Sequence, residues 1–233
     1  MNDRPDIQQL FPPCVISECF PIQDELHALY PEEEVIVRKA VEKRRREFST
    51  GRACARRALA RLGFRNCVLT RRADGTAAWP GEVVGTISHS DVWCGSAVAR
   101  QSDSEGIGLD IETIKGINPQ VTRRILTQSE LAWLSGYPED ERQTWSAVLF
   151  SAKESVYKCL FSYLNSGIQY HDARIMPAGD GLTFTVTCSE PIAERMSAHL
   201  PLAGRYFFHE GTVFTGVDLP ARKARRNREG PFG

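Results

Sequence analysis

Two long helical patterns, each accompanied by short runs of alternating residues, predict an α+β fold with two similar halves, each setting a long helix against a small, mostly antiparallel sheet. The chain of 233 residues is 42% apolar and 25% charged, enough for one large domain or two compact halves. A cleft between such halves is the natural place for a site. The polar stretch QSDSE, residues 101–105, is the candidate boundary. It divides the chain into residues 1–102, residues 103–219 and a basic tail, 220–233, expected to be disordered.

In chain order, a proline-bearing N-terminal segment leads into PEEEVIVRKAVEKRRREFSTGRACARRALARLGF. This reads as one long helix with acids in its first turn and Gly63 as its stop. Val37, Val41, Phe48, Ala55, Leu59 and Leu62 form its buried stripe, and Gly51 within it marks a kink, a close approach by a ligand, or a tolerated glycine. Strand-like pieces follow: CVLT, then, beyond a turn at Asp74 and Gly75, VVGTISHS, CGSAVAR and GIGLDIET. In the second half LTQSELAWLS offers a capping box, with Thr127 as N-cap and Glu130 three residues on. A helix from Glu139 to Asn165 carries Trp145, Leu149, Ala152, Val156, Cys159 and Tyr163 on one face. Phe150, Glu154, Tyr157, Lys158 and Phe161 lie on another. IQYHDARI, LTFTVTC, RYFFHE and TVFTGVDL alternate like strands, PIAERMSAHL fits a short helix, and His209-Glu210-Gly211 turns the last hairpin.

Charge is balanced overall but uneven locally. Arg38 to Arg72 holds 13 basic and 2 acidic residues, whereas the first 34 residues hold 8 acids against Arg4 alone. The basic segment suits a polyanion, whether cofactor phosphates, nucleic acid or an acidic protein; for any single arginine a solvated helix face is the simpler reading. No apolar run is long enough to span a bilayer and the N-terminus lacks the order of a secretory signal, so no membrane association and a cytoplasmic location are expected. The seven cysteines show no CxxC pairing and read as core thiols, and five scattered histidines give a zinc site little support.

In GIGLDIETI, residues 106–114, strand alternation puts Ile107, Leu109 and Ile111 on one face and Gly108, Asp110 and Glu112 on the other. Two neighbouring carboxylates call for a solvated face, a basic partner or a metal ion. A third carboxylate, Glu154, comes from FSAKESVYK beside Lys153 and one turn before Lys158. Three hard oxygen donors suit Mg²⁺, with the lysines facing phosphates; the simpler reading is a surface Glu154–Lys158 pair. In VGTISHS, Ser88 and His89 offer two groups able to donate to a phosphate oxygen, and no nucleophile-elbow motif accompanies them.

The ordered set KRRREFSTGRACARRALARLG, WPGEVVGTISHS, GIGLDIE and FSAKESVYK resembles the 4′-phosphopantetheinyl transferase superfamily, in its larger, two-subdomain branch of surfactin-type and enterobactin-type enzymes. The resemblance is specific over residues 38–165 and looser beyond. It implies two similar subdomains in a pseudo-two-fold arrangement with the active site in the cleft between them. It also implies an enzyme moving the phosphopantetheine arm of coenzyme A to a serine of an apo acyl or peptidyl carrier protein and releasing adenosine 3′,5′-bisphosphate. Two different halves can build one cleft within a single chain, so a monomer is expected.

By resemblance, Asp110, Glu112 and Glu154 hold Mg²⁺, with Mn²⁺ the other candidate, against the coenzyme A pyrophosphate. Arg44, Arg52 and Arg71 meet the 3′-phosphate end, Ser88 and His89 bind phosphates, and Lys153 and Lys158 line the pyrophosphate channel. Glu154 serves as the base, directly or through water, with a metal-bound hydroxide as the rival. Many members carry a lysine where this chain has Gly75-Thr76-Ala77, and Arg71 or Arg72 supplies that charge instead. Thr113 to Arg124, near the carrier in relatives, holds no readable motif. The competing readings are a coenzyme A binder without activity and a nucleic-acid module using Arg38 to Arg72; the second leaves the acid triad without a role and lacks a recognition motif, so no nucleic-acid partner is expected.

Overall fold

The computed structural model describes residues 4–222; residues 223–233 of the basic tail, with their expected disorder, lie outside the described residues. The elements run β1 (Ile16–Pro21), α1 (Pro31–Val37), α2 (Glu42–Arg61), β2 (Val83–His89), β3 (Trp93–Arg100), β4 (Ser104–Thr113), α3 (Pro119–Ile125), α4 (Gln128–Ser135) and α5 (Glu139–Leu164). Then come β5 (Ala173–Pro177), β6 (Thr183–Cys188), α6 (Glu190–Arg195), β7 (Leu202–His209) and β8 (Thr212–Pro220). Two antiparallel sheets result, of three strands in the order β1-β3-β2 and of five in the order β4-β8-β7-β6-β5. Helix α2 lies on the first and α5 on the second, giving the expected α+β pairing with sheets of unequal size.

The single N-terminal helix read from the sequence is two helices, broken at residues 38–41. The reason is tertiary. In one continuous helix Glu33 and Arg56 would lie about 35 Å apart at 1.5 Å per residue. The break folds α1 back so that Glu33, fully buried, accepts from Arg56 Nη1 at 2.6 Å and from the amides of Tyr30 at 3.1 Å and Leu69 at 2.9 Å. Val41, expected in the buried stripe, sits in the break and is exposed, whereas Val37, Phe48, Ala55 and Leu59 are buried. CVLT forms no strand, because the Leu69 amide goes to Glu33 and its carbonyl to Arg52 Nε at 2.9 Å, leaving no ladder to join. Strand β1 went unread in the sequence.

The charge asymmetry has an internal use. The acids of the N-terminal segment fold onto the basic helix: Glu18 meets Arg57 at 3.3 Å and Arg61 at 2.8 Å, Asp24 meets Arg46 at 2.8 Å, and Glu33 meets Arg56. Helix α2 continues through Gly51 without a break. A Cβ there would lie 3.0 Å from Ile87 Cγ2, so its smallness lets α2 pack against β2.

Helix α5 runs over the predicted span and ends at Asn165 in the left-handed conformation, φ 51°. Leu149, Ala152, Val156 and Cys159 on its predicted inner face are fully buried, each large aliphatic contributing about 1.5–3 kcal/mol. Ile107, Leu109 and Ile111 of β4 are also fully buried, packing with Ala97, Leu10, Phe11 and Phe214 between the two sheets. The opposite face of β4 meets α5 so closely that a Cβ on Gly108 would lie 1.7 Å from the Ser155 carbonyl oxygen.

Gly108→Ala must therefore push α5 off β4. The expected loss is about 1–3 kcal/mol or more in urea unfolding. Gly81→Ala, where a Cβ meets nothing within 4 Å, serves as the control and stays within about 0.5 kcal/mol of the parent.

Candidate active site

Edge strand β2 of the smaller sheet lies alongside edge strand β4 of the larger one, and α5 crosses β4 on the far side from the core. A cleft of about 1180 Å³ opens there. Its walls include Arg44, Arg52, Arg71, Ser88, His89, Asp110, Glu112, Glu154 and Lys158, residues the sequence analysis singled out.

At its centre, Asp110 is buried, with Oδ1 accepting from Lys158 Nζ at 2.6 Å and Ser88 Oγ at 3.0 Å. Lys158 also donates to Ser88 Oγ at 2.9 Å and to the Leu109 carbonyl at 3.2 Å. The surface Glu154–Lys158 pair is thus not what forms: Lys158 reaches across to β4. Glu154 instead accepts at Oε1 from the Tyr170 hydroxyl at 2.5 Å. Glu112 is pushed up to about 8, first by burial, then by the charges of Asp110 and Glu154, with Lys158 opposing. No three such side chains among the described residues converge into a ready metal cluster; Asp110 is held by Lys158 and Glu154 by Tyr170.

On the α2 wall, Arg44 Nη1 lies 2.8 Å from His89 Nε2 and 3.2 Å from Glu47 Oε2. Glu47 is itself 3.6 Å from His89 and buried, so it orients both groups. Burial lowers the His89 pKa, with Arg44 adding and Glu47 opposing. Arg52 is buried against the Phe48 ring, 4.2 Å from its centroid, and lies 4.0 Å from Glu33; its pKa falls to about 10, chiefly through burial. Arg71 is exposed on the rim, bonded to the Gly75 carbonyl at 3.2 Å, and Arg72, Thr76 and Ala77 line the same rim.

Lys153 corrects the sequence reading. It does not line the cleft but is 2% exposed inside the second half, donating to the carbonyls of Tyr170 at 2.8 Å and Ala173 at 2.6 Å and paired with Glu130 at 3.0 Å. Helix geometry is the cause: positions 153 and 158 are about 140° apart at 100° per residue, so both cannot face one channel. Glu130 is the predicted capping-box residue of α4, and it also receives the Ile175 amide at 2.6 Å. Glu47, Glu130 and Tyr170 join this arrangement without a sequence signal for it: Glu47 lies inside the RRREF stretch, Glu130 reads as a cap, and nothing around Tyr170 announces it.

Carboxylates, a lysine, a hydroxyl and arginines thus line one cleft. Residues 32–99 match the family model described as the 4′-phosphopantetheinyl transferase N-terminal domain, and residues 106–203 that of the 4′-phosphopantetheinyl transferase superfamily. The chain is 35% identical to 4′-phosphopantetheinyl transferase Svp of Streptomyces mobaraensis over 211 residues, covering 89% of this chain and 86% of that protein. It is 34% identical to 4′-phosphopantetheinyl transferase Npt of Nocardia iowensis over 63% of this chain and 65% of that protein. Against 4′-phosphopantetheinyl transferase PptT of Mycobacterium tuberculosis the identity is 29%, over 81% and 85%. The chain belongs to the 4′-phosphopantetheinyl transferase superfamily.

Two outcomes follow from the site as built. Lys153→Met leaves Glu130 buried and unpaired, so denaturant unfolding should show a loss of about 3–5 kcal/mol. His89 should titrate below 6.5 by NMR, and Glu47→Gln should lower it further by removing the opposing charge. Its folded-state pKa is depressed, so its contribution to stability falls away as pH drops through 6.5 toward that lower value.

Proposed function

We propose that the chain transfers the 4′-phosphopantetheine arm of coenzyme A to a serine of an apo acyl or peptidyl carrier protein. The observation that carries this reading is the gathering of Asp110, Glu112, Glu154, Lys158 and Ser88 in one cleft whose outer wall bears Arg44 and Arg71. The nucleic-acid alternative loses support because most of the basic helix is neutralised by acids of its own chain.

The acids fit a hard dication. Asp110 Oδ2 is buried without a hydrogen-bond partner, and Glu112 has its pKa raised by burial and then by the neighbouring charges of Asp110 and Glu154. Asp110, Glu112 and Glu154 would hold Mg²⁺, which would supply electrostatic stabilisation of the pyrophosphate. Ser88 and Lys158 meet the phosphates of the same group, and His89, neutral and held by Arg44 and Glu47, offers a further polar contact. Arg44 and Arg71 receive the 3′-phosphate, with buried Arg52 adding to the positive field behind them.

The carrier serine oxygen bonds to the phosphorus bearing the pantetheine arm. The bond from that phosphorus to the bridging oxygen breaks, and the electron pair leaves on adenosine 3′,5′-bisphosphate. The serine proton passes to Glu154, directly or through water. Negative charge grows on the leaving phosphate, and Lys158, already fixed by Asp110 and Ser88, stabilises it without reorganising. Both walls of the cleft come from one chain, which suits action as a monomer, and cysteines without CxxC pairing suit a cytoplasmic setting. Among the described residues no helix is long and apolar enough to cross a membrane.

The deciding experiment mixes the protein with coenzyme A, Mg²⁺ and a panel of apo carriers and weighs each carrier by mass spectrometry. Gain of the arm on any carrier supports the reading, and gain on none overturns it. Glu154→Gln should cut transfer roughly 100-fold or more while leaving the melting temperature near the parent's. Asp110→Asn should raise the Mg²⁺ concentration needed for half-maximal rate or remove activity; an unchanged metal dependence counts against Asp110 as a ligand.

A further inference from the structure

The connection from α5 to β5 is built around one buried cation. Lys153 Nζ holds the carbonyls of Tyr170 and Ala173, and Glu130, paired with that ammonium, uses Oε1 to hold the amide of Ile175. Three backbone groups within six residues are thus tied to one ion pair whose side chains are 1% and 0% exposed. The segment so fixed carries Tyr170. Its ring stacks on Tyr157, centroids 6.0 Å apart and planes 29° apart, and its hydroxyl donates to Glu154 Oε1 at 2.5 Å.

Adjacent residues of α5 therefore grip the same segment from two sides. Lys153 points inward and fixes its backbone, whereas Glu154 lines the cleft and receives its side chain. We propose that Tyr170 is a positioning residue for Glu154, and that the Lys153–Glu130 pair exists to hold Tyr170 in place. The role given to Glu154 rests on the transferase reading above; the linkage itself rests on the distances.

A glutamate at a cleft wall has three side-chain torsions and many rotamers, only some of which serve a proton or a cation. A donor fixed on Oε1 selects among those rotamers before any ligand arrives and leaves Oε2 as the oxygen with free capacity. Tyr170 is well suited to this because a phenol is a donor at neutral pH and its hydroxyl already lies 2.5 Å from Glu154 Oε1. Its stacking on Tyr157 opposes a swing of the ring, so the hydroxyl favours the Glu154 rotamer it already meets.

The test is Tyr170→Phe, which keeps the stacked ring and removes only the donor. Partners that orient a metal-ligating or catalytic group are typically worth about 10-fold or more. The kcat of transfer should fall about 10-fold while KM for coenzyme A and carrier stays within about two-fold, and the Mg²⁺ affinity measured by calorimetry should weaken by a similar factor. The melting temperature should move by no more than about 4 °C. Lys153→Met, if it folds, should lower kcat as Tyr170→Phe does, and adding Tyr170→Phe to it should cost little more. An unchanged kcat and Mg²⁺ affinity in Tyr170→Phe overturns the proposal, as does a loss explained by a collapse in melting temperature. Should the parent load no carrier, the transferase reading fails, and the calorimetric comparison alone decides Tyr170: equal affinity overturns its role, weaker affinity in the variant supports it.

Discussion

The site depends on how closely α5 is allowed to approach β4. Two glycines, Gly106 and Gly108, strip that strand face of side chains where the helix backbone crosses; a Cβ on either would lie within 2.7 Å of an α5 carbonyl oxygen. Once the helix is that near, the next residue on the same strand face, Asp110, falls within reach of Lys158, and Glu112 within the field of Glu154. On the other face Ile107, Leu109 and Ile111 lock the strand between the sheets. The carboxylates are therefore placed by packing on both sides of one strand, which keeps them from relaxing away from each other's charge.

A second constraint is electrostatic. Buried acids are costly unless paired, and nearly every deeply buried one here has a cation or amide partner: Glu33 with Arg56, Glu130 with Lys153, Asp110 with Lys158. Glu112 is half-buried in the cleft, where burial and then the charges of Asp110 and Glu154 push its pKa up to about 8, with Lys158 opposing. Arginines that the sequence concentrates on one helix are meanwhile spent largely on internal acids, while Arg44, itself paired with Glu47, and Arg52 join Arg71 and Arg72 in lining the cleft.

Much of this was legible in the sequence. Period-2 alternation named both faces of β4, the capping box at Thr127 and Glu130 formed as read, and the limits of α5 held to within a residue. The four ordered motifs led to the family. Illegible parts share one cause: they depend on partners far away in the chain. Leu69 has strand-like neighbours but gives its amide and carbonyl to Glu33 and Arg52, and residues 38–41 leave the helix so that Glu33 can reach Arg56.

The sequence by itself determined the α+β class, the secondary elements with strong periodicity, and the chemical inventory of the cleft, because these rest on local spacing and residue type. Only the tertiary structure decided which charged group faces which. Lys153 and Lys158 look equivalent in the motif, yet the helix turns one into the core and the other toward Asp110. Tyr170 has no local signal; its carbonyl is held by Lys153 and its hydroxyl by Glu154, both on a helix that the sequence reading gave no reason to bring to it.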